Sequence, residues 1–215
     1  MRTTFHAELD KLITDLARKT RRCAQLMTNA STALHQRDLP LAELVITEGD
    51  QMTKTLEETE RRCLTLLALQ APVATDLRVV VSALHSVDHL RRMRKLARHI
   101  ASITRLKHPM IPGEVRAVCA RMSLLASQLA TDAATAIEHR DPLSSDRLAH
   151  ADDEIDALRR CLFGILFAPD WSHGVQPAVD SALISRYHER FADHAVTIAR
   201  QVCYLATGRI PQPPA

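Results

Sequence analysis

The chain carries the same pattern twice. Leu90-Arg91-Arg92-Met93-Arg94-Lys95-Leu96-Ala97-Arg98 lies opposite His188-Glu189-Arg190-Phe191-Ala192-Asp193-His194-Ala195-Val196, with Arg92 matching Arg190 and Ala97 matching Ala195, both 98 positions apart. Arg37-Asp38-Leu39-Pro40 has a near copy in Arg140-Asp141-Pro142-Leu143. A unit of this length, used twice in 215 residues, leaves few architectures open. Within each unit the apolar residues recur at helical spacing. Residues 4 to 36 place Leu9, Leu12, Ile13, Leu16, Leu26, Met27 and Leu34 in one stripe. Asp38 suits an N-cap and Pro40 a first turn, so a second helix is expected to follow and run to residue 69, with Gly49 marking a close helix contact. A third is expected at 75–106. Pro109 and Pro112 break the pattern at 107–113, after which helices are expected at 114–139, 143–167 and 177–206. Three long helices with short connections pack as antiparallel neighbours. The predicted fold is therefore all-α: two tandem antiparallel three-helix bundles, residues 1–108 and 113–208, with a disordered tail at 209–215.

Composition agrees and excludes several functions. Glycine is scarce at 5, and aromatic residues make up 3% of the chain, which favours helix over sheet. The net charge of +3 is mild, no Lys/Arg run exceeds two residues, and aromatics do not interleave with the basic residues. Nucleic-acid binding therefore has little support. No apolar run approaches membrane-spanning length and the first residues are charged, so the reading is a cytosolic protein with no membrane insertion. Cys23, Cys63, Cys119, Cys161 and Cys203 are odd in number and far apart, which reads as reduced core thiols.

The densest ionisable stretch is 186–195, in the last helical segment. Glu189 and Asp193 sit four apart, so their carboxylates stack on one helical face and repel unless a positive charge lies between them. Asp152 and Asp156 repeat that spacing on the preceding segment, with Asp153 and Glu154 beside them. A short loop joins the two segments, so antiparallel packing brings the four carboxylates into one oxygen-rich patch. Such a patch suits a hard cation such as Mg²⁺, Mn²⁺, Ca²⁺ or non-haem iron better than Zn²⁺. The alternative is a lattice of ion pairs with Arg159, Arg160, Arg186 and Arg190. His188-Glu189 lacks the second histidine of a zincin helix, and there is no Gly-rich phosphate loop and no nucleophile elbow. Ser185 near His188 lacks an orienting third group, and His85, His89 and His99 read as solvated surface residues.

The two three-helix repeats, with L-R-x-x-x-S-A-L at 77–84 and R-Y-x-E-R-x-x-D-H-A at 186–195, resemble the PhoU family, its actinobacterial branch most of all, over nearly the whole chain. That resemblance implies a non-enzymatic negative regulator of the phosphate-starvation response. It implies partners in a sensor histidine kinase and the ATPase subunit of a phosphate ABC transporter, and a homodimer. It also implies metal bound through E/D-x-x-x-D motifs, here Asp152, Asp156, Glu189 and Asp193, with Mg, Mn, Fe or Zn as the ion. The first repeat departs from the pattern: Arg91 and Lys95 replace two acids, and Lys54 stands four residues after Asp50. No metal is expected there. Arg91, Arg94, Lys95 and Arg98 are instead read as a docking face for an acidic partner or as a solvated surface. The rival readings are a carboxylate-bridged metalloenzyme, disfavoured by the absence of E-x-x-H pairs, and a structural oligomerisation module.

Overall fold

The computed structural model describes residues 2–105 and 111–209. Helix accounts for 89% of the described residues. Six helices run in order: α1 (Arg2–Gln36), α2 (Leu39–Gln70), α3 (Ala74–Thr104), α4 (Gly113–His139), α5 (Ser144–Leu166) and α6 (Val175–Thr207). Most of the 107–113 break and all of the tail beyond residue 209 fall outside the described residues.

Local chemistry sets the turns. After α1, Arg37 adopts a left-handed φ of 57°, and the Asp38 amide closes back on the Ala33 carbonyl at 2.9 Å. The Asp38 carboxylate then accepts from the Leu41 amide at 2.9 Å and caps α2, as expected of it. The copy behaves alike up to a point. Arg140 has φ 51° and the Asp141 amide reaches the Ala136 carbonyl at 3.1 Å. Pro142 directly after that aspartate then delays the next helix, so α5 starts at Ser144 without a side-chain cap.

The two three-helix bundles, α1–α3 and α4–α6, pack against each other. α1, α3, α4 and α6 form a central four-helix layer in which α1 meets α4 and α3 meets α6, while α2 lies outside α1 and α3 and α5 outside α4 and α6. Ion pairs Arg21–Glu138 and Arg140–Asp10 show α1 and α4 running antiparallel. One continuous apolar core runs through both repeats, including Leu12, Leu26, Leu90, Met122 and Phe191. Gly49 is buried on α2 but a Cβ there would meet nothing within 4 Å, so it marks no close contact. Cys23, Cys63 and Cys119 are buried, whereas Cys161 is exposed on α5 and Cys203 partly so, which corrects the reading of all five as core thiols.

Candidate functional site

α5 and α6 pack side by side, and Arg159 Nε on α5 lies 3.3 Å from Glu189 Oε2 on α6. That register sets Asp152 and Asp156 against Asp193. Burial pushes the Asp152 carboxyl up to about 7, helped by the negative charges of Asp193, Asp156, Asp153 and Glu189. Asp193 is likewise raised, first by burial and then by Glu189 and Asp156, against the opposing pull of Arg186 and Arg190. The four carboxylates thus share one electrostatic patch, and like-charge repulsion is visible in it. They are not all at the surface. Asp156 and Asp193 are exposed and Asp152 is half-buried, but Glu189 is only 9% exposed, because position 189 turns inward beneath Arg159.

Glu189 already holds cations of its own. Arg186 donates to its Oε1 at 2.6 Å, and this contact raises the guanidinium pKa. Its buried Oε2 has no hydrogen-bond partner, since Arg159 stands at ion-pair distance without hydrogen-bond geometry. Part of the expected arginine lattice is therefore present, while Arg160 and Arg190 join no ion pair among the described residues. An all-oxygen donor set with one orphaned buried oxygen fits a hard cation chemically. Among the described residues no three Asp, Glu, His or Cys side chains stand close enough to close on one ion as they are. The unpartnered oxygen is Oε2, while Arg186 is held by Oε1.

The matching face of the first repeat is neutralised from within. Arg91 pairs with Glu60, and with Asp88 at 3.3 Å; Arg98 lies 3.3 Å from Asp50. Arg94 is 7% exposed and points inward 3.9 Å from Asp50, so it cannot belong to a docking face. Burial lowers its pKa. Of the four residues read as a possible docking face, Lys95 alone is exposed without an ion pair among the described residues. The acids of α2, Asp50 and Glu60, lie over α3, and sequence spacing does not reveal that.

Two histidine contacts escaped the sequence reading. His89 on α3 and His194 on α6 place their Nδ1 atoms 3.2 Å apart across the seam between repeats. Burial, His89, Arg92 and Arg190 together hold His194 down near 4. His188 is buried, with Nε2 3.0 Å from the Ser31 hydroxyl on α1, and burial with nearby His35 takes its pKa to about 3. Both contacts join the two halves of the chain, so no local spacing foretells them.

The fold and site together define a class: a six-helix protein of two fused three-helix repeats with a carboxylate cluster on the outer face of the second. The family model described as the PhoU domain matches residues 15–104 and 119–202. The chain is 41% identical over 214 residues to the phosphate-specific transport system accessory protein PhoU homolog 1 of Mycobacterium leprae, covering 99% of this chain and 96% of that protein. It is 42% identical over 213 residues to homolog 2 of Mycobacterium tuberculosis, covering 98% and 100%. A crystal structure of the phosphate transport system regulatory protein PhoU from Streptococcus pneumoniae superposes with a TM-score of 0.87 at 26% identity, over 97% of this chain and 99% of that one. The Pseudomonas aeruginosa PhoU structure shares the fold, with a TM-score of 0.86 at 23% identity over 95% and 100% of the two chains. The chain belongs to the PhoU family.

Proposed function

We propose that this chain is a cytoplasmic, non-catalytic accessory protein of a phosphate-specific transport system that represses the phosphate-starvation response. In this reading its partners are the ATPase subunit of the transporter and a sensor histidine kinase, and it works as a homodimer of chains built from repeats 1–108 and 113–208. The observation that carries the reading is similarity along the whole chain to proteins named as accessories of that system. No described helix is long and apolar enough to cross a membrane, which agrees with a protein acting on the transporter from outside the bilayer. Asp152, Asp156, Glu189 and Asp193 would hold a divalent or trivalent cation, and the orphaned Glu189 oxygen and the mutual repulsion of the acids support that assignment.

Deleting the gene is expected to switch on phosphate-scavenging genes in phosphate-replete medium, with repression restored by the wild-type gene. Unchanged alkaline phosphatase and transporter expression, in a strain also cleared of any second homologue, would contradict the regulatory reading.

A further inference from the structure

Two adjoining cavities of about 510 and 410 Å³ open along the junction of α1 and α2 and share Arg18, Lys19 and Thr55, so they form one groove. Its α1 wall runs from Lys11 to Gln25, about 21 Å at the helical rise. Six cations line it, Lys11, Arg18, Lys19, Arg21, Arg22 and Arg62, against three carboxylates, Asp15, Glu48 and Glu58. Asp15 serves both Arg18 and Lys19, and Lys11 joins no ion pair among the described residues. Arg22 pairs with Glu48, while Arg21 and Arg62 reach acids that do not line the groove, Glu138 and Glu8. Lys19 is buried in the wall, where its ammonium also donates to the Thr59 hydroxyl at 2.6 Å. Arg18 and Arg22 are exposed and each meets its acid through one terminal nitrogen, so their forks keep N–H groups for an incoming carboxylate.

The repeat itself does not demand these cations. Arg37 and Arg140 are equivalent turn residues, and the side-chain bonds Gln25–Asn29 at 2.8 Å and Gln128–Asp132 at 2.9 Å keep the same register. In that register Lys19, Arg21 and Arg22 correspond to Met122, Leu124 and Leu125 of α4, and Lys11 corresponds to Glu114. Met122 is fully enclosed, so α1 places an ammonium where its counterpart packs a thioether. Burying an ammonium is costly unless it is paired, and the second repeat folds without one. The basic row on α1 therefore has a use other than packing.

We propose that the α1–α2 groove receives an acidic helical segment of a partner protein. About four turns of helix match its length, with glutamate or aspartate side chains reaching the cations of the α1 wall and an apolar side lying over the buried Met52. The groove is concave between two antiparallel helices, so a flat headgroup surface would touch only its rims. No aromatic side chain lines it for nucleic-acid bases to stack on. The groove uses none of the carboxylates of α5 and α6, so it stands whether or not they hold a metal.

The test is fluorescence anisotropy of the full-length protein with a fluorescein-labelled, helix-forming peptide of about 14 residues, rich in glutamate and with one leucine face. The same peptide with glutamine for every glutamate is the comparison, at one ionic strength. Saturable binding of the acidic peptide is expected, about tenfold or more tighter than that of the glutamine peptide. Lys11→Gln with Arg18→Gln and Arg22→Gln should lose about tenfold or more in affinity, and Arg18→Lys with Arg22→Lys, which keeps the charge, should retain most of it. Arg92→Gln with Arg121→Gln and Arg147→Gln removes the same net charge from exposed positions elsewhere and should leave binding unchanged. Lys11, Arg18 and Arg22 are exposed, so the triple variant should keep its helical spectrum. No saturable binding, equal binding of the glutamine peptide, or equal losses in the two triple variants would overturn the proposal. Tighter binding of phosphatidylglycerol vesicles or of a DNA duplex than of the acidic peptide, lost with the same three residues, would overturn it equally.

Discussion

At the scale of single residues, environment matters more than identity. Asp152 and Asp156 carry the same group one helical turn apart, yet Asp152 is half-buried among negative charges and its carboxyl titrates near 7. A folded-state pKa raised above the ordinary 3.8 means that the protonated acid is favoured by folding. Its ionisation therefore erodes stability as pH climbs from about 4 through 7. Asp152→Asn should remove that erosion and raise the melting temperature of metal-free protein at pH 8 but not at pH 4. An equal effect at both values would mean the acid is not strained. A metal must displace the same proton, so affinity should climb up to about pH 7. His188 works in the opposite direction. Its folded pKa of about 3 lies below the ordinary 6.5, so the stability of the neutral, buried ring is complete above 6.5 and lost progressively as pH falls towards 3. His188→Gln should flatten the acid limb of the stability profile between those values; an unchanged limb would place the ring in contact with water.

Among the helices, what is local was legible and how separate helices are seated on one another mostly was not. Asp38 could be named as a cap because an N-cap needs only a carboxylate and an amide three residues on. Asp38→Ala should cost about 1 kcal/mol by denaturant titration, and a change indistinguishable from zero would show that the Leu41 contact contributes nothing. Helix ends were readable to within a few residues for the same reason. The pairing of Asp152 with Asp193 was also readable, because a short loop forces α5 against α6. Spacing could not reveal that α2 lays Asp50 and Glu60 over the basic residues of α3, nor that Arg94 turns inward. The burial of Glu189 and the meeting of His89 with His194 were equally hidden, since they depend on how separate helices are seated. A repeat announces two similar units and is silent on the face they share.

The whole molecule is one core rather than two. α1 packs on α4 and α3 on α6, and Met122, Ala130 and Phe191, each fully enclosed, belong to the one core that includes residues of both repeats. The full chain should therefore unfold in a single cooperative transition, and residues 113–208 expressed alone should show no sharp transition. A well-defined melt of the isolated second repeat would contradict the shared core. The outer faces are free to differ because the core is common: the second repeat presents carboxylates where the first presents arginines paired to α2. We propose that this difference makes one half a metal site and leaves the other without one. The measurement that tests it most directly is the metal content of protein purified without chelator, read by elemental mass spectrometry on three forms. Wild-type protein should carry metal, Asp193→Asn with Glu189→Gln should carry none while keeping its helical spectrum, and Arg91→Ala should match wild type. Metal-free wild-type protein that takes up none on reconstitution, metal retained by the folded double variant, or metal lost with Arg91 would contradict it.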